Sequence, residues 1–240
     1  MISNDEVQRF VTARQHVLAT IAGACARVGR DPAAVTLVAV SKTVPADRLV
    51  AAVAAGLTTL GENRVQEGEA KIGAVAGATW HLIGPLQSNK AKSALAKFAV
   101  IESVDSVELA ERLDRLAAEV RPGERVAVLL QVNVDGDAAK AGFDPDALPA
   151  VLARLADLEH LDLRGLMTVG RLTERAEDAR PTFAALRGLS VRLLSSAPGG
   201  AAQLGPELSM GMSADYPIAI EEGATIVRVG RALFGDRPGP

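Results

Sequence analysis

Lys42 follows a short apolar run, Thr36-Leu37-Val38-Ala39-Val40, across Ser41, and is itself followed by Thr43 and Pro45. The run is brief and β-branched, which predicts a buried strand. Val38, Val40 and Lys42 share parity and would lie on one side of that strand. A lysine on the core-facing side is costly unless it is paired or chemically used. Desolvation or a neighbouring cation lowers an amine's pKa and makes it a nucleophile toward carbonyls. Lys42 therefore reads as a Schiff-base lysine or, if the strand stops at Val40, as a solvated loop residue. Arg228 poses the same question near the other end of the chain, sharing parity with Ile226 and Gly230. Facing inward, it needs an acceptor: a ring nitrogen, a carboxylate, or a structural ion pair with an acid such as Glu207. Ser213, behind Met210-Gly211-Met212, offers its hydroxyl to a phosphate or to a helix N-cap. His81 reads as a general base, a ring that stacks on a ligand, or a satisfied core histidine.

The elements that must position these residues alternate along the chain. Ser3-x-x-Glu6 suggests a capping box, followed by a helix whose apolar stripe runs from Val7 and Phe10 through Ile21 and Cys25 to Val28. Cys25 is core filler on that stripe. Strands are predicted at 36–40, 57–61, 79–84, 100–103, 126–132, 161–169, 208–211 and 225–230. Helices follow each: one opened by Pro45, a polar one from Asn63, a basic one over 88–97, and one capped by Asp105. Further helices carry Leu148 to Leu158, the segment around Pro181, the stretch from Ser213 to Gly223, and a last turn from Arg231. Trp80, opposite His81 in parity, packs toward the helices. Eight short strands alternating with helices predict a (β/α)8 TIM barrel with an extra N-terminal helix. An open doubly wound sheet is the alternative, but no Gly-x-Gly-x-x-Gly turn follows the first strand.

Composition narrows the function. The chain has 240 residues and no Pro/Gly/Ser linker, so residues 1–235 read as one domain, with 236–240 as a disordered tail. A formal net charge of −3 gives no electrostatic case for nucleic acid or an anionic membrane. No apolar stretch approaches bilayer-spanning length, and the acidic N-terminus lacks a secretion-signal layout. One cysteine permits no intrachain disulfide, which suits a reducing cytoplasm.

In such a barrel the active site lies at the C-terminal ends of the strands. Lys42, Asn63, Gly84, Asn133, Ser213, Gly230 and Arg231 all fall there. The loops after strands seven and eight each lead into a helix start, with Gly211 and Gly230 allowing close backbone approach. The loop Asp135-Gly136-Asp137-Ala138-Ala139-Lys140 is expected to be mobile over the barrel mouth, with Lys140 a solubilising charge. A lysine that traps an aldehyde, a phosphate cradle and a cation for a ring nitrogen together specify pyridoxal 5′-phosphate (PLP). An arginine does not hold the ring nitrogen protonated as an acid does, so electron-sink power is limited.

Several segments carry a resemblance: Ala39-Val40-Ser41-Lys42-Thr43, Gly61-Glu62-Asn63-x-Val65-Gln66-Glu67, Trp80-His81-Leu82-Ile83-Gly84, Arg164-Gly165-Leu166-Met167, Leu208 to Asp215, and Val227-Arg228-Val229-Gly230 with Leu233-Phe234-Gly235. In this order they resemble the PLP homeostasis protein family, relatives of the N-terminal barrel of alanine racemase. The resemblance implies a fold-type III barrel without the second β domain. It implies Lys42 as the aldimine lysine, and Ser213 with the amides near Gly230 and Arg231 as phosphate ligands. It implies Arg228 near the ring nitrogen, Asn63 and His81 lining the pocket, and Met210 among the cofactor-binding positions. Arg231 stands where many relatives carry threonine, so its contact with phosphate would be by charge. The implied role is a monomeric PLP carrier or regulator in vitamin B6 homeostasis, with PLP-dependent apo-enzymes as recipients and no established turnover. The alternative is a weak racemase; the chain's one tyrosine, Tyr216, falls at a helix start beside the phosphate site, so pocket water or His81 would have to serve as the second acid or base. An aldolase would need Glu62 as its proton shuttle.

Overall fold

The computed structural model describes residues 3–171, 173–195 and 204–235, so the tail expected at 236–240 lies outside the described residues. Eight parallel strands close into a barrel in sequence order, β1-β2-β3-β4-β5-β6-β7-β8. They are β1 (Thr36–Val40), β2 (Thr59–Glu62), β3 (Thr79–Leu82), β4 (Val100–Val104), β5 (Val126–Gln131), β6 (Leu161–Met167), β7 (Glu207–Met212) and β8 (Ile226–Val229). The ring shuts where β8 pairs with β1, Val38 beside Arg228 and Ala39 beside Val229. Closure rules out the open sheet.

The helices are α1 (Asn4–Arg27), α2 (Ala46–Ala54), α3 (Val65–Ile72), α4 (Ala91–Lys97), α5 (Val107–Val120), α6 (Leu148–Leu155), α7 (Arg180–Ser195), α8 (Tyr216–Glu221) and α9 (Arg231–Phe234). None among the described residues is long and apolar enough to cross a membrane. The main core lies between strands and helices. Leu60, Trp80, Leu82, Ile101, Val128, Leu130 and Leu166 point outward into it. Strands β4 and β5 are buried at every position, as expected where helices cover a barrel. The apolar part of the interior is small, comprising Val38, Val100, Ala127, Leu129, Met167 and Ile226. Gly61 faces that interior, where a Cβ would come 2.7 Å from Val38 Cγ1. The space left inside is occupied by polar side chains.

Some local expectations are corrected. Ser3 stands at the N-cap of α1, but its hydroxyl makes no cap bond; its carbonyl accepts from the Glu6 and Val7 amides, so no capping box forms. Ser106, not Asp105, caps α5, accepting from the Leu109 amide at 3.3 Å. The basic helix begins as a 3₁₀ turn, Ser88–Lys90, before α4. Pro181 lies in the first turn of α7, behind the 3₁₀ turn Ala176–Ala179, where its missing N–H costs nothing. The helix expected from Ser213 starts at Tyr216, because Asp215 first closes a tight loop with Met212.

Candidate functional site

β1 ends at Val40, and Lys42 follows in a turn, half-buried, rather than continuing the strand. The turn is fixed from both sides. Ser41 is wholly buried; its amide donates to the Gly61 carbonyl at 2.9 Å, and its hydroxyl meets the same carbonyl and Glu62 Oε1 at 3.1 and 2.8 Å. From α3, Lys71 Nζ donates to the Ser41 carbonyl at 3.0 Å and to Glu62 Oε1 at 2.7 Å. The peptide leading into Lys42 is thus clamped, and the residue after it, Thr43, takes φ +66°, a costly conformation for a β-branched residue. Glu62 shares the outward parity of Leu60 and spends one oxygen on Lys71 and Ser41; its Oε2 has no hydrogen-bond partner among the described residues. Burial pushes its carboxyl up, with Lys71 and Ser41 opposing. Turned toward α3, Glu62 is poorly placed as an aldolase shuttle.

The part of the rim on the other side of β1 from β2 is built by the loops after β7 and β8. Ser213 is no N-cap: its Oγ accepts from the Gly230 amide at 3.0 Å, tying the two loops together. The hydroxyl keeps its own proton for another acceptor. Asp215 holds the first loop closed, its carboxylate accepting from the Met212 amide at 2.6 Å and its own amide donating back to the Met212 carbonyl at 3.0 Å. The Arg231 and Ala232 amides, in the first turn of α9, have no acceptor among the described residues. The Arg231 side chain is exposed. Gly230 packs against β1, where a Cβ would stand 3.4 Å from Val40 Cβ. The Ser213–Gly230 pair therefore lies beside the strand that leads to Lys42. Asn63, half-buried, sits on the other flank, its backbone pressed on Gly84 so closely that a Cβ there would be 2.3 Å from the Asn63 carbonyl. The Met210 side chain is not with them: it is fully buried in the outer core.

Arg228 does face inward and is 4% exposed. Its acidic partner is Glu102 on β4, not Glu207. Arg228 Nη1 donates to Ser209 Oγ at 2.6 Å, and that hydroxyl donates to Glu102 Oε2 at 2.5 Å. Arg228 Nη2 donates to the Thr168 carbonyl at 2.8 Å. His81 Nδ1 lies 2.7 Å from Glu102 Oε1, so His81 is a satisfied interior histidine within this network. Burial works to raise the Glu102 carboxyl, but His81, Arg228 and Ser209 together outweigh it and hold it below the ordinary range. Burial pulls the Arg228 guanidinium down, with Glu102 and Asp215 opposing. Glu207 lies at the other mouth of the barrel, 3.9 Å from Arg164. It lines a cavity of about 240 Å³ there with Thr36, Thr79 and His81.

A family model described as the N-terminal domain of alanine racemase matches residues 18–238. The chain is 44% identical over 226 residues to the pyridoxal phosphate homeostasis protein of Pseudomonas aeruginosa, covering 92% of this chain and 93% of that one. The chain belongs to the pyridoxal phosphate homeostasis protein family. Among solved structures it is similar to PipY of Synechococcus elongatus PCC7942 with PLP bound, at 45% identity and a TM-score of 0.77, over 90% of this chain and all of that one. An unknown protein from Bifidobacterium adolescentis superposes with a TM-score of 0.88 at 37% identity, covering 98% of each chain.

In this homeostasis-family chain the loop expected to be mobile is densely bonded. Asn133 Nδ2 donates to the Asp137 carbonyl, and Gln131 Nε2 to the Ala141 carbonyl, at 2.9 and 2.8 Å. Lys140 is no free solubilising charge. Its Nζ lies 3.1 Å from the Val169 carbonyl and 3.6 Å from Asp135 Oδ2, joining the loops after β5 and β6. Sequence reasoning passed over Lys71, Ser209 and Glu102. The clue for the last was its place inside the apolar strand 100–104, where a carboxylate needs a partner.

Proposed function

We propose that this chain binds PLP at the C-terminal rim of the barrel, attached through the Lys42 amine, and acts as a carrier or regulator of the cofactor in the cytoplasm. PLP supplies an aldehyde that condenses with amines and an electron-withdrawing ring. The donor set fits it. Ser213 offers a hydroxyl proton, and the Arg231 and Ala232 amides are unclaimed among the described residues, together suited to a phosphate; Arg231 adds charge at the rim. Arg228 is a buried cation suited to the ring nitrogen, with Asn63 as a flanking group, whereas His81 is taken up by Glu102. The observation that carries the reading is the Ser213–Gly230 link lying against Val40, two residues before Lys42. PLP bound to a relative of 45% identity supports the choice of ligand.

The carrier reading is favoured over a racemase by the place of Tyr216. Its side chain is 5% exposed within the outer core, so it is not available as a second acid or base. Recipients would be PLP-dependent apo-enzymes. The test is to load the purified protein, reduce with borohydride and map the peptides. Label is expected on Lys42, and loss of the visible band in Lys42→Ala; label on Lys71 or Lys140 defeats the assignment. Incubating loaded protein with alanine enantiomers in deuterated water separates the two functions, since rapid α-proton exchange would overturn the carrier reading.

A further inference from the structure

We propose that Glu102 is the positioning residue for Arg228, fixing the guanidinium that faces the PLP ring and balancing its charge inside the barrel. The inference rests on the PLP reading above and deepens it. Four acids come near enough to be considered. Glu62 is turned outward to Lys71 on α3. Glu207 belongs to the opposite mouth with Arg164. Asp215 exerts a favourable charge on Arg228 but spends its carboxylate on the Met212 amide. Glu102 alone is joined to Arg228 by hydrogen bonds, through Ser209.

The geometry of the link decides what it does. A guanidinium is a rigid planar fork, so two anchored nitrogens set its plane. Nη1 is anchored on Ser209 and Nη2 on the Thr168 carbonyl. Ser209 accepts from Arg228 and donates onward to Glu102, so the hydroxyl's orientation is dictated by the carboxylate. Glu102 is held in turn by His81 on its other oxygen. All of the side chains in this chain of bonds are buried, and water does not replace a missing member at no cost. Removing the negative charge leaves Arg228 uncompensated in a low-dielectric interior. That disfavours any further positive charge nearby, including a proton on the Lys42 nitrogen that would join the cofactor.

The experiment has two arms. In the cofactor-free protein, the Arg228 Nη protons should exchange slowly with solvent by side-chain NMR, and Glu102→Gln should speed their exchange at least about tenfold. In the loaded protein, the pH midpoint of the visible band should fall by about one unit in Glu102→Gln, and part-way in Ser209→Ala, with Glu102→Asp restoring most of it. A role confined to packing would lower thermal stability and leave the midpoint in place. If Glu102→Gln does not fold, Ser209→Ala carries both arms. Unchanged exchange together with an unchanged midpoint overturns the inference. Wild type that shows protected Nη protons but takes up no PLP sinks the PLP reading instead, and the first arm still decides whether Glu102 orients Arg228.

Discussion

Two buried carboxylates in this barrel pull in opposite directions with pH, and that difference makes their partners testable. Glu62 has its carboxyl raised by burial. Its contribution to stability is full below the unfolded value of about 4.3 and is lost as pH rises through the higher folded value. Lys71 is what limits that loss. Replacing it by methionine leaves a fully buried carboxylate with its cation gone, which costs about 3–5 kcal/mol at neutral pH. Urea denaturation of Lys71→Met is expected to show this deficit at pH 7 and a much smaller one near pH 4; an equal deficit at both would exclude the charge as its cause. Glu102 behaves the other way. Its lowered carboxyl contributes stability above the unfolded value, lost as pH falls through the folded one. Glu102→Gln should therefore flatten part of the acid limb of the wild-type stability curve, measured by denaturation between about pH 5 and 2. Of these residues, Arg228 was legible in sequence because a cation in an apolar strand is conspicuous. Lys71 was not, since a lysine on a polar helix ordinarily meets solvent.

At the scale of the elements, strand positions were legible to within about two residues because parallel barrel strands are short apolar runs between Gly, Pro and polar turns. Where a strand ends was harder to read. Parity carried Lys42 onto β1, but the ladder with β2 ends at the Ser41 amide, and the chain turns away at Lys42 and Thr43, the latter at φ +66°. Helix α3 gave almost no apolar signal, because it packs through Gly68, where a Cβ would be 2.4 Å from the Phe98 ring. The junction of β7 and α8 depends on a glycine in a stricter way. Gly211 has φ +90°, and a Cβ there would lie 2.5 Å from Ala219 Cβ and 2.9 Å from Tyr216 Cα. Gly211→Ala combines backbone strain with overpacking, about 3 kcal/mol together. It should also shift the loop that carries Ser213. Chemical denaturation should register the first effect and faster hydrogen exchange at the Gly230 amide the second. Lost stability with the Gly230 amide still protected would show that the two loops are held together by something other than Ser213.

For the whole molecule, the decisive feature is how the helical ring is completed. Seven strands are followed by helices of six or more residues, but β8 is followed only by the four-residue α9. Helix α1 fills the gap, packing against α8 on one side and α2 on the other and touching α9 as well. Phe10 of α1 stands edge-on to Phe234 of α9, ring centroids 5.6 Å apart, beneath the Arg48 guanidinium of α2. Arg30, just past α1, donates to the Ile220 and Ala224 carbonyls at 2.6 and 2.9 Å. Arg27 and Arg180 both pair with Glu221, so α1, α8 and α7 are cross-linked by charge as well. The N-terminal helix is therefore the last stave of the cylinder rather than an appendage, and it braces the β8–α9 segment from which Gly230 and Arg231 emerge. Phe10 is 2% exposed, so Phe10→Ala should cost about 3–5 kcal/mol. Cys25, fully buried on the same helix, reports whether α1 leaves alone or with the barrel. If the ring is one cooperative unit, thiol reagents will modify Cys25 in Phe10→Ala only at the rate of global unfolding, and barrel signals will be lost in step. Rapid modification with the far-UV signal of the barrel intact would show instead that α1 is a detachable cover and that the barrel closes without it.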